Sequence, residues 1–384
     1  AEVALSLVLL AGSGLLLRSF ARVSAVDPGF DPHPLLTANV APPEKKYPGE
    51  QRQAAMIAEV VERARRLPGV ESAAAVFGLP FGGTISRVRF TVEGRPPPAP
   101  NEPSDALYRQ ITPGYFETLR TPLLGGRDFT ARDTTNAPQV AIVNEAFVRT
   151  FFPSADPRAV PTTRIDVDAG TNTWIQIVGV VRDMRDANLA QAAEPQMFLP
   201  MTQRCWGFAT LVVRTVGEPE ALAPALREVV QAIDPEQPLE RVRSLESLLD
   251  DTLTQRRIQT VLLGVFSALA LLLAAVGIYG VMAWSVSRRS HEIGVRMALG
   301  AQWSDVRRLV LRQGMALTLM GVVLGLVAGL GLARFLAGLL YEVQPHDPPT
   351  FGTVTLALIA VALLACWLPA RRAARVDPMV ALRS

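Results

Sequence analysis

The residues able to do chemistry are few and badly placed for it. The three histidines, His33, His291 and His346, are scattered, and no Cys/His grouping has metal-ligand spacing. Cys205 sits in a polar region and Cys366 in an apolar run, so both read as lone buried thiols with no disulfide between them. A phosphate loop requires Gly-x-x-x-x-Gly-Lys-Ser/Thr. The only lysines, Lys45 and Lys46, are followed by Lys46 and Tyr47, so the chain is not by itself a P-loop ATPase. Gly12-Ser13-Gly14 lacks the Gly-x-Ser-x-Gly frame of a nucleophile elbow and lies in an apolar stretch. Asp166, Asp168, Asp183 and Asp186 are the acidic residues that can form a site, although solvated loop charges are the default for such groups. No nucleophile, metal or carboxylate constellation emerges, so we expect no enzyme: no catalytic residue, no metal site and no cofactor. A net charge of only +3 gives no reason to expect nucleic acid as a partner.

What dominates the 384 residues is apolar patterning, with 49% hydrophobic residues. Residues 258–284, 315–333 and 351–370 contain no charged side chain. A helix needs about 20 apolar residues to cross the hydrocarbon core, and in lipid the backbone must satisfy itself. These three runs are therefore expected to be membrane helices, the second extending to 340 and the third starting at 350. Residues 3–17 are also uncharged, with Glu2 before them and Arg18 after. The order of charges is wrong for a signal peptide, and residues 1–20 read as the trailing part of a first span.

Arginine sets the orientation. The segment 285–314 carries Arg288, Arg289, Arg296, Arg307, Arg308 and Arg312, and the tail 371–384 carries Arg371, Arg372, Arg375 and Arg383. The connection 335–350 has Glu342 and Asp347 and no Arg or Lys. Short basic loops stay in the cytoplasm, which puts 285–314 and the tail inside and residues 21–257 outside. Arg18 and Arg22 run against that rule, but long loops cross largely regardless of charge.

The outer segment reads as α+β. Residues 35–80 give strand, helix, strand: 35–40 is extended, Ala54, Ile57, Ala58 and Val61 share a helix face, and 70–77 is a second strand after Pro68-Gly69. Residues 208–243 repeat the scheme, with Leu222, Leu226, Val229, Val230 and Ile233 on a helix face before Asp234-Pro235. Two such halves suggest a ferredoxin-like split βαβ layer with a β-rich module, 81–207, inserted between them. Strands are expected at 87–92, 107–111, 140–143 and 174–181, and a loop at the Pro-rich 94–103. Residues 244–257 form a stalk helix leading into the span at 258.

Two patterns remain in the membrane half, 258–384. Gly321, Gly325 and Gly329 recur every four residues, a spacing that lets helices approach closely. They serve either ordinary bundle packing or a face that slides or dimerises. On the cytoplasmic side, Glu292 and Arg296 stand in the favourable order for a helical ion pair, Ile293 and Met297 share a face, and Gly300 suits a helix stop. Ser304 can cap the helix that follows. A short amphipathic helix of this kind is either an interfacial anchor or a docking surface for a cytoplasmic motor.

The stretch Arg288-Arg-Ser-His-Glu-Ile-Gly-Val-Arg-Met-Ala-Leu-Gly-Ala301 closely resembles the cytoplasmic motif of FtsX-like permeases, the type found in MacB-like ABC exporters. The tail Leu368-Pro-Ala-Arg-Arg-Ala-Ala-Arg-Val-Asp-Pro-Met-Val-Ala-Leu382 resembles the end of the same domain. Ile111-Thr-Pro-Gly-Tyr-Phe-Glu-Thr-Leu119, Gly126-Arg-Asp-Phe129, Val140-Ala-Ile-Val-Asn-Glu-Ala-Phe147 and Ile177-Val-Gly-Val-Val-Arg-Asp183 resemble the MacB-like periplasmic core. The resemblance implies a permease of the bacterial inner membrane that a separate ABC ATPase drives, with Arg289, Glu292, Ile293, Arg296, Met297, Ala298, Leu299 and Gly300 as the coupling contact and the stalk relaying motion outward for efflux or export. It also implies a second permease unit, as a dimer or as the other half of a duplicated permease, with membrane lipid and an envelope or outer-membrane partner around it. MacB itself carries an ATPase ahead of its first span, whereas this chain looks most like one half of a duplicated permease without one, a piece of a longer polypeptide. The competing expectation is a membrane scaffold or signal relay that regulates an envelope protein without transporting anything.

Overall fold

The structure, a computed structural model, describes residues 2–96, 99, 104–156, 158–159, 163–167, 173–289, 292, 295, 302–335, 338 and 340–373. It divides into two compact units, one of Val26–Leu253 and one of Ala1–Ala25 with Thr254–Ser384.

In the first unit, β1 (Leu35–Val40), α2 (Glu50–Ala64) and β2 (Val70–Phe77) form one half, and β11 (Ala209–Thr215), α5 (Ala223–Ile233) and β12 (Glu240–Ser244) the other. Their strands lie in the order β12-β1-β11-β2, antiparallel throughout, so each half places its strands around a strand of the other. Period-2 alternation explains the layer. Leu36, Ala38 and Val40 of β1 and Leu211 and Val213 of β11 face one way, onto Ile57, Val60 and Val61 of α2 and Leu226 and Val230 of α5.

The intervening residues do not form a detached module. Strand β5 (Asp105–Ile111) pairs directly with β2, matching Val76 to Ile111 and Phe77 to Gln110. From there the sheet continues through β10 (Gln196–Pro200), β7 (Val140–Asn144), β9 (Ile175–Val181), β8 (Arg164–Asp166) and β4 (Thr91–Val92); β3 (Arg87–Arg89) adds to β5 and β6 (Leu123–Gly126) to β9. The expected strand at 87–92 is thus two short strands on different partners. Helices α3 (Tyr115–Leu119) and α4 (Glu145–Phe151) complete this part. Its core is aromatic: Phe90 stacks on Phe147 at 5.0 Å and meets Phe151 edge-on at 4.7 Å.

Chain connections at both ends of this unit are bonded into it. Residues 26–34 form a strap along the domain. Asp27 accepts from the Gly29 N–H at 2.8 Å and from Arg182 at 2.8 Å, and Arg185 N donates to the Pro28 carbonyl at 2.8 Å. Gly29 has φ of +91°, and a Cβ there would strike the Asp183 carbonyl, so the turn admits only glycine. Arg214, fully buried in β11, donates to the carbonyls of Thr118 and Asp31 at 2.8 Å each and to that of His33. At the other end, Leu245, Leu248 and Leu249 are buried, and Ser247 Oγ donates to the Ser244 carbonyl at 2.8 Å, where α6 begins. That helix, α6, runs Leu245–Arg288, 44 residues without a break.

The second unit holds α1 (Glu2–Ser24), most of α6, α7 (Trp303–Ala333) and α8 (Pro348–Ala373), four helices long and apolar enough to cross a membrane. Helices α1 and α6 exchange hydrogen bonds through small residues: Ser6 Oγ donates to the Ala270 carbonyl at 2.7 Å, and Ser267 Oγ to that of Leu9 at 2.9 Å. Arg18, the cation that ran against the charge rule, pairs with Asp347 of the short α7–α8 connection. Asp347 also accepts from Thr350 N at 3.1 Å and Thr350 Oγ1 at 2.5 Å, capping α8; these Thr350 bonds, with Arg18 beside them, hold its carboxyl below the usual range. Nearby, Ser19 Oγ accepts from the Tyr341 N–H at 2.8 Å. The end of the first span and the connection 335–350 therefore lie on one side of the bilayer.

Three outcomes follow from these bonds. Arg214→Met leaves buried carbonyls and Asp31 without their donor, and thermal unfolding of the chain in detergent is expected to show a loss of about 3–5 kcal/mol. Arg18→Asp and Asp347→Arg each lower thermal stability, and the double exchange recovers at least half of the loss in a double-mutant cycle. Asp133 is held below the usual carboxylate range by a two-pronged bond from Arg127, at 2.8 and 2.9 Å, helped by the Thr130 N–H. Its folded pKa lies under the unfolded value of about 3.9, so its contribution is present above that pH and fades as pH falls through the folded value. Asp133→Asn is expected to be less stable than wild type at pH 7, with the gap closing below about pH 4 in denaturant titrations.

Candidate functional site

The inner ends of the spans are marked by matching pairs. Arg288 lies over the Trp284 ring at 4.7 Å on α6, and Arg371 over Trp367 at 5.3 Å on α8. Tryptophan and arginine settle at the interface because one is amphipathic and the other reaches the headgroups. Beside them Met282, Val310 and Cys366 pack together and tie α6, α7 and α8.

The expected coupling contact starts at this level. Arg289 is exposed and donates its backbone N–H to the Val286 carbonyl at 3.1 Å, so α6 closes there. Glu292 is exposed and helical. Ile293, Arg296, Met297, Ala298, Leu299 and Gly300 lie outside the described residues. The next helix starts at Trp303, so Ser304 stands inside its first turn rather than at its cap, and its Oγ donates to Gln302 Oε1 at 3.4 Å. The described part is a basic surface with no grouping for bond-making chemistry.

The glycine stripe faces inward. A Cβ on Gly321 would lie 2.8 Å from Val3 Cβ; one on Gly325 would lie 3.0 Å from the Ala4 backbone and from Leu7 Cβ. Gly329 faces the Phe351 ring at 3.3 Å. The first two therefore admit α1 against α7, and the third sits where α8 joins them.

Of the candidate acidic residues, Asp166, Asp183 and Asp186 are not solvated loop charges. Asp166 is buried. Asp183 accepts from Ala146 N at 2.7 Å, capping α4, and pairs with Arg149 at 2.5 Å. Asp186 pairs with Arg109, and both side chains are nearly buried. The Asp183 and Asp186 carboxylates are matched to a backbone donor or a guanidinium, which makes their burial tolerable and leaves them braced rather than reactive. Asp168 lies outside the described residues. Among the described residues, no group of three or more His, Cys, Asp or Glu is placed to hold a metal ion.

Sequence reasoning missed what the recurring outer motifs do locally. Asn144 is buried: its Oδ1 accepts from Phe147 N at 3.0 Å and Gln196 N at 2.8 Å, and its Nδ2 donates to the Glu194 carbonyl at 2.8 Å. It fastens β7, α4 and β10 together. Thr112 Oγ1 accepts from Ala75 N at 2.8 Å, and Gly114, with φ of +84°, opens α3. The signal was present as polar residues at the ends of apolar strands, but their distant partners lie 37 to 52 residues away in sequence.

Comparison with known proteins agrees with this layout. Residues 6–241 match the family model of the MacB-like periplasmic core domain, and residues 264–378 that of the FtsX-like permease C-terminal region. The chain is similar to the macrolide export ATP-binding/permease protein MacB of Azoarcus sp. (strain BH72), 27% identical over 70% of this chain and 41% of that protein. It is similar to the pyoverdine export ATP-binding/permease protein PvdT of Pseudomonas syringae, 26% identical over 68% of this chain and 40% of that protein. The ABC transporter permease YknZ of Bacillus subtilis is 24% identical over 73% of this chain and 71% of that protein. The chain thus spans about two fifths of the length of the MacB and PvdT relatives. Among solved structures, the periplasmic region of MacB from Actinobacillus actinomycetemcomitans aligns with 60% of this chain and 97% of that one, at 12% identity and a TM-score of 0.40. The chain belongs to the MacB-like, FtsX-like family of ABC transporter permeases, inner-membrane proteins, and its periplasmic core domain is set in the sequence between its first and second membrane helices.

Proposed function

We propose that the chain transmits work from a cytoplasmic ABC ATPase to its periplasmic domain, for efflux or export from the periplasm or outer leaflet. The observation that carries this is α6: the chain leaves the outer domain and crosses the membrane within one uninterrupted helix, Leu245–Arg288. A helix transmits axial displacement because each turn is fixed by its own backbone bonds. Its inner end reaches Arg288, and the exposed Arg289 and Glu292 that follow suit a docking contact. Its outer end is held by buried leucines, and the strap at 26–34 holds the other connection, so displacement would reach the sheet rather than be absorbed in slack loops.

The working unit in this reading includes a separate ATPase and a second permease unit, with an envelope protein as a further partner. The chain supplies no bond-making step of its own. The relatives' names speak of macrolide and pyoverdine export; which molecule this chain moves is set by surfaces those names do not describe.

Capture by a co-expressed ABC ATPase from the same gene neighbourhood tests the coupling. The tagged chain is expected to retain the ATPase, with Glu292→Lys and Ile293→Asp each weakening retention at least about tenfold, a loss of about 1.4 kcal/mol. Retention that ignores both substitutions, or no retention by the wild type, removes this reading. An envelope protein captured in place of the ATPase would favour a signal relay.

A further inference from the structure

We infer that the outer domain carries a binding site for an amphipathic carboxylate, a small organic acid whose carboxylate enters a basic cleft on the open face of the sheet while its apolar body lies on an aromatic shelf beside it.

The cleft follows from a bulge. Leu36, Ala38 and Val40 of β1 face the helices, so Thr37 and Asn39 face the other way. Strand β12 pairs Arg243 with Thr37 and Glu240 with Asn39, which leaves Arg241 and Val242 together opposite Ala38. Val242 packs on the helix side. Arg241 is the extra residue, and it turns to the open face with φ of +48°, a region that a side chain disfavours. Arg241 and Arg243 thus stand at the rim of a cleft floored by Asn39 and Thr210. Its volume is about 30 Å³, room for a few heavy atoms.

Donors are left over there. Asn39 accepts at Oδ1 from Thr210 Oγ1 at 2.9 Å, which leaves its Nδ2 hydrogens uncommitted. Arg243 is held by Asp251 at 2.6 Å, whereas Arg241 makes no hydrogen bond or ion pair among the described residues. No acidic side chain lines the cleft. A carboxylate has the size of the cleft, the missing charge and the planar pair of acceptors that a guanidinium matches. The rest of such a molecule must lie outside, and the neighbouring surface is apolar. Phe208 lines the cleft and meets Phe77 edge-on at 6.3 Å, and Phe77 meets Trp206 edge-on at 4.9 Å. Trp206 is 45% exposed, yet its ring stacks on Tyr108 at 4.9 Å and its backbone N–H donates to Gln110 Oε1 at 3.0 Å. A braced ring left open to solvent offers area to a ligand at little ordering cost. All these residues belong to the outer domain, so the site is separate from the coupling reading.

The test uses the full chain in phosphatidylcholine nanodiscs without any ATPase. The probes are para-fluorophenylacetate and its neutral primary amide, titrated at pH 7 and followed by fluorine NMR. Wild type is expected to bind the acid at least about tenfold more tightly than the amide. Arg241→Gln is expected to reduce that ratio to about one, and Trp206→Ala to weaken both probes together. Arg241→Gly is expected to lose the ratio too, with a thermal unfolding midpoint at or above that of wild type, because glycine takes a positive φ without strain. Equal affinity of wild type for the two probes, or an unchanged ratio in Arg241→Gln, overturns the inference. So does Trp206→Ala binding that matches wild type. An Arg241→Gly variant less stable than wild type overturns it as well, because the arginine would then be kept for the fold.

Discussion

Arg214 is the penultimate residue of β11 and has no exposed surface, and its guanidinium reaches backbone carbonyls on both the strap and α3. Three consequences depend on it. The strap that follows the first membrane helix is fixed to the sheet at β11, one of the two inner strands of the split βαβ layer. Asp31 is drawn into the same bond set and passes it on to Arg120, which also pairs with Glu71 of β2. Desolvation pulls the guanidinium of Arg214 towards the neutral form, and only full engagement of its donors makes a buried cation acceptable there. The strap thus has one low-energy seat.

This fixes how the two connections of the domain differ. The C-terminal one is a helix, whose stiffness comes from its own backbone. The N-terminal one has no regular structure and is stiff only because Asp27, Gly29, Asp31 and His33 are bonded to the domain one by one. Within the membrane, α1 and α6 touch through Ser6, Ser267 and Ala270, while Gly321 and Gly325 bring α1 onto α7. Small residues make these contacts close without large interlocking side chains.

Legibility in the sequence followed the range of the interaction. The spans were readable because lipid imposes one local rule, about twenty uncharged residues in a row. The strands Leu35–Val40 and Val70–Phe77 fell where alternation and Pro68-Gly69 put them, since period and turn are local too. Strand β10, Gln196–Pro200, was missed: it is short, ends in proline, and exists because β5 and β7 flank it from distant parts of the chain. Arg214 and Asp186 could not be seen as buried, because a charged residue in a strand reads as surface until its partners are known. Of the site residues, the glycines were legible from spacing alone, but which helix they meet was not.

One helix also carries a measure of its surroundings. Helix α8 is capped by Asp347, which is pinned to Arg18 on the outer side, and its interfacial Trp367 stands twenty residues beyond that cap, a span of about 30 Å. Both ends are anchored, one by an ion pair and one by a ring under a guanidinium, so this helix has little freedom to lengthen or shorten its apolar stretch. In a sheet of lipid several ångströms thicker, the adjustment would fall on the lipid or on the tilt of the whole bundle. Acyl-chain length therefore acts on this protein as a mechanical load.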